Sequence, residues 1–210
     1  SRILSGAQIT MFSALLSLVG ASAVGSFLGL LSGYLGGWVD ALIMRTVDFM
    51  LAMPGLIFAM IMVAALGPSL STIIIVIVLT GWVGYARFVR GEVLSLRERD
   101  YVTAARAMGA RPDRIIFRHI LPNVMATIVV LTTLGTGGII LFVAALSFLG
   151  LGIPKPTSAW GVLISDGRPW LLTAWWISIM PGIVIALLIT SFNLVGDWMR
   201  DTFDPRLRGR

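Results

Sequence analysis

Cysteine is absent from the sequence, and histidine and lysine occur once each, as His119 and Lys155. No disulfide framework and no thiolate metal site can therefore be built. His119 has no second His or Cys near it to share a metal. A Ser-His-Asp assembly would need a serine to reach it across the apolar body of the chain. At the edge of an apolar stretch, His119 reads as a polar interface or capping residue. Lys155 stands in IPKP and not in G-x-x-x-x-G-K-[ST], so no phosphate-binding loop and no ATP site is encoded. Charge is scarce as well, at 12% of residues against the ~25% of a soluble domain.

What is present is apolar. Hydrophobic residues make up 57% of the chain, and the mean hydropathy is +0.94. A soluble protein of 210 residues could not bury that much apolar surface, so the surrounding solvent is lipid. The net charge of +6 falls at the ends of apolar stretches and in one loop, a pattern that excludes a nucleic-acid surface. The ten methionines, scattered among apolar residues, read as gap-filling or lipid contacts rather than soft-metal ligands. The chain begins at Ser1 without Met or a signal-peptide pattern, which is the expectation for a trimmed N-terminus.

Five helical spans are expected, at residues 8–31, 41–66 with a break at Pro54-Gly55, 70–88, 120–146 and 170–195. Each apolar stretch approaches or exceeds the ~20 residues that cross ~30 Å of hydrocarbon. Alternating strands of an outer-membrane barrel are absent, so the expected fold is all-α, a polytopic bundle. A tight turn at Gly67-Pro68 separates the second and third spans, and a mixed loop covers 147–169.

Arginine sets the expected orientation. Arg87, Arg90, Arg97, Arg99, Arg106, Arg111, Arg114 and Arg118 lie between the third and fourth spans, and Arg200, Arg206, Arg208 and Arg210 in the tail. The alternate loops hold Arg2, Lys155 and Arg168. The arginine-rich side is expected to be cytoplasmic, with Ser1 outside and Arg210 inside.

Ser13, Ser17, Ala21, Gly25, Gly29, Gly33 and Gly37 recur every fourth residue, a ridge of small side chains that admits another helix closely. Packing within the subunit and a seam between subunits both fit it. Gly135, Gly137, Gly138 and Pro181-Gly182 are candidate flexing points in the fourth and fifth spans, though both residue types are common in membrane helices.

Residues 100–123, DYVTAARAMGARPDRIIFRHILPN, form a polar island of two short helices in this apolar chain. Gly109 between them suits an elbow, because glycine accepts backbone angles that other residues avoid. Small Ala104 and Ala105 allow a close partner and Tyr101 offers an anchor. Pro122 is expected in the first turn of the next span, where its missing N–H costs little.

The ordered residues Ala104, Ala105, Gly109, Leu121 and Pro122 resemble the EAA loop of ABC-importer permeases, with Thr103 in place of the family's Glu and His119 in place of its Ile. SFLGLG at 147–152, Pro156-Thr157, Ala159-Trp160-Gly161, the tail Asn193-Leu194-Val195-Gly196-Asp197 with Arg200-Asp201 and Asp204-Pro205, and the opening SRILSGAQIT are similar to the dipeptide, oligopeptide and nickel branch, in its second-permease form. The resemblance covers nearly the whole chain. It implies a type I importer permease domain over 1–210, with a coupling loop at 92–123 and one further N-terminal helix not included here.

The same resemblance places ATPase docking on Asp100, Tyr101, Ala104, Ala105, Arg106, Gly109, Ala110, Arg114, Leu121, Pro122 and Asn123, while the small-residue ridge itself gives helix packing at Gly25, Gly29 and Gly33. The implied partners are a homologous second permease, two ATPase subunits or domains that hold ATP and Mg, an extracytoplasmic substrate-binding protein, and the lipid of a prokaryotic inner membrane. No cofactor, catalysis or nucleic acid is implied for this chain, and the cargo is small peptides or a nickel chelate. A non-transport membrane assembly protein is the reading from another class. A membrane-embedded enzyme would need paired intramembrane acids or a His cluster, which the sequence lacks.

Overall fold

The computed structural model describes residues 2–154 and 159–203. Ser1, Lys155, Pro156, Thr157, Ser158 and the tail from Asp204 to Arg210, on which part of the motif and orientation readings rest, lie outside the described residues. The helices are α1 (Arg2–Leu35), α2 (Gly37–Ala52), α3 (Gly55–Leu66), α4 (Leu70–Leu96), α5 (Asp100–Ala107), α6 (Pro112–Ile115), α7 (Leu121–Phe148), α8 (Trp160–Gly167) and α9 (Trp176–Phe203). A π-helical turn at Ile116–Ile120 joins α6 to α7, and a 3-10 turn at Arg168–Trp170 follows α8. No strand occurs among the described residues.

The small-residue ridge is the central seam of the fold. A Cβ added to Gly25 would stand 2.6 Å from Cβ of Tyr85, one on Gly29 2.9 Å from Cβ of Val89, and one on Gly33 2.8 Å from Cβ of Val93. Gly20 meets Val78 higher up the same seam. The ridge thus packs within the subunit, against α4. Gly37 departs from it. The chain turns at Gly36 and Gly37, both at positive φ, and Gly37 opens α2 on an exposed surface.

The pairings 20–78, 25–85, 29–89 and 33–93 advance together, so α1 and α4 run parallel. Parallel neighbours require the intervening segment to carry the chain back across the bundle once. The α2–α3 pair does so. Asp40 meets Arg90, Val47 packs with Val83, and Ala59 with Val76, a steady climb antiparallel to α4. Four helices are individually long and apolar enough to cross a membrane, and α2–α3, bent by 91°, serves as the fifth span rather than as a re-entrant loop. α7 returns antiparallel to α4, with Thr127 beside Glu92, and α9 returns antiparallel to α7, with Met199 near Thr133 and Ile189 near Gly137.

The expected break at Pro54-Gly55 is present, and its cause is local. Met53 is held extended at φ −96 and ψ 128, as residues before proline are, and Pro54 brings no N–H to continue the ladder. Gly138 and Pro181, by contrast, sit inside unbroken helices. A Cβ on Gly137 would stand 2.9 Å from Cγ2 of Ile189, so that glycine serves the α7–α9 contact. The spans also run longer than expected from hydropathy. α4 continues to Leu96, and α9, the last span, starts later than expected, at Trp176, but runs on to Phe203.

Polar side chains hold the extra turns of α4. Arg90 Nε and Nη2 donate to Asp40 Oδ1 and Oδ2 at 2.5 and 2.6 Å, and Ser32 Oγ donates to Asp40 Oδ1 at 2.5 Å. α1, α2 and α4 are therefore tied at one level. Exposed ion pairs contribute ~1 kcal/mol or less, and breaking a buried one costs about 3–5 kcal/mol. The Arg90 and Asp40 side chains are 31% and 20% exposed, which places the pair between those limits. Asp40→Asn or Arg90→Gln should each cost roughly 2 kcal/mol on the scale those limits set. The double variant should cost clearly less than the sum, as read from denaturation midpoints in detergent.

Candidate functional site

Residues 97–120 fold back onto the end of the bundle where α4 stops and α7 starts. Arg97 Nη1 donates to the carbonyl of Gly33 at 3.1 Å, and its Nε pairs with Glu98 at 3.0 Å, fixing the exit of α4 against α1. Asp100 sits in the first turn of α5 and Arg106 in its last, the arrangement that suits the helix dipole. Arg106, with Tyr34, Leu35, Arg97 and Glu98, borders a polar cleft of about 420 Å³ between α1 and the loop.

One apolar cluster fastens the loop to the bundle. Val102 and Ala105 of α5, Ile115 of α6, and Ile116 and Ile120 of the π turn join Leu30 of α1, Val89 and Val93 of α4, and Val124 and Ile128 of α7. Ala110 and Leu121 pack partly buried against it. Ala105 therefore does not offer its side chain to a partner. It is 4% exposed within the chain's own core, a correction to its expected place on the docking face.

The surface left free on α5 is Asp100, Tyr101, Thr103, Ala104 and Arg106, all exposed. Met108 at 81% and Phe117 at 62% exposure extend it. The sequence reading passed over both, although two exposed apolar side chains in an arginine-rich loop are a signal in themselves. Tyr101 stands against His119, ring centroids 6.4 Å apart, so His119 packs beside the one aromatic side chain of α5.

Gly109 takes φ +77 with nothing within 4 Å of an added Cβ, so its requirement is one of conformation and not of space. It ends α5 and reverses the chain into α6, where Pro112 stands in the first turn. Arg114 is exposed on α6. Pro122 and Asn123 are exposed too, and Asn123 Nδ2 donates to the carbonyl of His119 at 2.7 Å.

Pro122 stands in the first turn of α7, as expected, but that turn is not a free helix start. The helical path already runs from Pro112, and the turn before Pro122 widens to π. The ring of a proline clashes with the carbonyl four residues back and offers it no N–H. A π turn accommodates both defects, with the Leu121 N–H reaching back to the Ile116 carbonyl.

The result is a two-helix elbow packed onto the bundle, with an outward face of mixed apolar and cationic character, mounted on five spans. Residues 25–209 match the family described as the binding-protein-dependent transport system inner membrane component, and the chain belongs to that family. It is 44% identical to the dipeptide transport system permease protein DppC of Alkalihalophilus pseudofirmus, across 99% of this chain and 68% of that one. It is 41% identical to the probable D,D-dipeptide transport system permease protein DdpC of Escherichia coli, across 100% and 70%. It is 40% identical to the oligopeptide transport system permease protein OppC of Bacillus subtilis, across 97% and 67%. The chain thus spans about two thirds of the length of these relatives.

Among solved structures, a chain of the inward-facing MetNI methionine ABC transporter superposes with a TM-score of 0.76 at 16% identity, covering 96% of each chain. An amino acid ABC transporter with histidines superposes at 0.67 and 15% identity, covering 98% of this chain and 94% of that one. The fold is that of an ABC-transporter permease. The protein is a multi-pass inner-membrane transport component.

Proposed function

We propose that this chain is one of two permease chains in an ATP-driven importer of small peptides. The exposed face of the α5–Gly109–α6 elbow, welded to α1, α4 and α7 by one apolar cluster, carries the mechanical part of this reading. A partner pressing on that face moves three spans together. The names of the relatives, dipeptide and oligopeptide permeases, support the cargo. In this scheme two ATPase subunits or domains bind ATP and Mg and draw the elbows of the two permeases together. The pathway forms at the interface with a homologous permease. A substrate-binding protein delivers cargo at the opposite end of the bundle, around 147–169. Peptide uptake, with a nickel chelate as the competing cargo, tests the substrate class in vesicles holding the matching subunits. Accumulation of the nickel chelate in place of peptides overturns that part.

The elbow end faces the cytoplasm in this scheme, which accords with its arginines. The Cys-free background permits a clean check. Cysteine introduced at Ser158 should react with a membrane-impermeant thiol reagent added outside intact cells, and one at Arg111 should not. Reversed labelling inverts the topology.

Gly109 supplies the test of coupling. Valine is strongly disfavoured at φ +77, a conformation costing of order 1–3 kcal/mol for residues other than glycine. Gly109→Val should therefore redirect α6 and lower transport per ATP hydrolysed at least tenfold, while the spans still insert. Unchanged coupling in reconstituted vesicles removes Gly109 from the joint.

A further inference from the structure

Between α8 and α9, at the end of the bundle opposite α5, the chain displays an unusually apolar turn. Leu172 is 100% exposed, and Trp170 and Trp175 are 57% and 49% exposed. Three of the chain's seven tryptophans lie between residues 170 and 176. The sole charged residue between 167 and 176 is Arg168, whose guanidinium lies 5.5 Å from the Phe148 ring centroid. Trp175 and Trp176 stack edge-on, with centroids 5.9 Å apart, so the aromatic pair is preformed.

Two observations say what covers this surface. The first is continuity. Of the four helices that cross singly α9 is the least buried, and Trp176, Met180, Ile183 and Leu187 form one exposed apolar stripe along it at helical spacing. The tryptophan turn extends that stripe beyond the helix. The second is depth. About 20 residues of α9 separate Trp176 from the first charged residue, Asp197, and a helix of that length spans ~30 Å, the thickness of the hydrocarbon core. Trp176 is thereby set at the boundary of the hydrocarbon. Tryptophan concentrates at that level, with its ring among the acyl ends and its N–H among the headgroups. A basic residue beside it meets lipid phosphate.

We infer that the 168–176 turn is an interfacial membrane anchor: Leu172 and the flanking tryptophans enter the lipid leaflet beside α9, and Arg168 lies at the phosphate level. The turn holds the end of α9 at a set depth. A water-exposed turn, or one reserved for a delivering protein, would leave a fully exposed leucine among three tryptophans in water.

The test uses Leu172→Cys, carrying a polarity-sensitive fluorophore, in the permease assembled with its partner subunits in proteoliposomes. The side chain touches nothing in the fold, so labelling leaves folding intact. The emission should be blue-shifted. Lipids brominated high on the acyl chain should quench it several-fold more than aqueous iodide does. The same label at Thr103→Cys, exposed on α5 and read in the permease without its ATPase subunits, should show the reverse. Quenching of the Leu172 label by iodide and not by bromolipid overturns the anchor. Iodide quenching that disappears when the binding protein is added also overturns it, and assigns the turn to that protein.

Discussion

Gly25→Val should cost the permease most of its folded yield. The Gly25 position has no room for a side chain. Its added Cβ would meet the Trp82 carbonyl and stand 2.6 Å from Cβ of Tyr85, and two of the atoms met belong to backbone. Overpacking a core costs about 1–3 kcal/mol when side chains alone can yield, and occasionally more. Here α4 itself must retreat, and Gly29 and Gly33 lose their contacts along the same seam, so a loss of roughly 3 kcal/mol or more is expected on that scale. Gly91, on the same helix pair but with nothing within 4 Å of its added Cβ, is the control. Gly91→Ala should be tolerated. Size-exclusion profiles and thermal midpoints in detergent separate the two, and equal stability would mean that the α1–α4 seam is looser than the contacts imply.

The second large effect falls on two neighbouring alanines. Ala105→Glu places an unpaired carboxylate among Leu30, Val93, Val102 and Ile120. A buried charge without a partner costs several kcal/mol, and breaking even a paired one costs about 3–5 kcal/mol. The isolated permease should lose folded material, with no ATPase present. Ala104→Glu points outward from the same helix and should leave the thermal midpoint unchanged. It should nonetheless reduce copurification with the ATPase subunits, because the small side chain permits close approach of a partner. If Ala104→Glu retains the complex fully, the exposed face of α5 is not the docking face.

These two alanines also mark where sequence reasoning stops. A helix of eight residues, amphipathic though it is, has too few turns to choose between two adjacent alanines, which are indistinguishable in hydropathy. Only the neighbours decide which is inside, and those come from α1, α4 and α7. The broken second span was legible, because Pro54 acts through its own ring and the residue before it. The conformation of Gly109 was legible for the same reason. The small-residue ridge announced a close helix pair but not its partner, since glycines admit any neighbour. The Asp40–Arg90 pair spans 50 positions and left no trace in the sequence. The span ends were underestimated because Arg90 and Glu92 lower the hydropathy of α4 while their partners, Asp40 and Thr127, keep that stretch in the fold.

The π turn at Ile116–Ile120 has a consequence for helical phase. Ile116, Ile120, Val124 and Ile128 all belong to the cluster that fastens the elbow, and they repeat every fourth residue. In an unbroken α-helix such a repeat precesses by about 40° per step, since each residue advances ~100°. Three steps would carry Ile128 some ~120° away from Ile116, onto a different side of the helix. One widened turn takes back part of that drift and lets a single straight row face the bundle. Rewinding that turn to a regular α-helix with no residue lost would rotate the elbow by roughly 90° against the span it is meant to drive, whereas deleting one residue would absorb the widened turn and keep the phase.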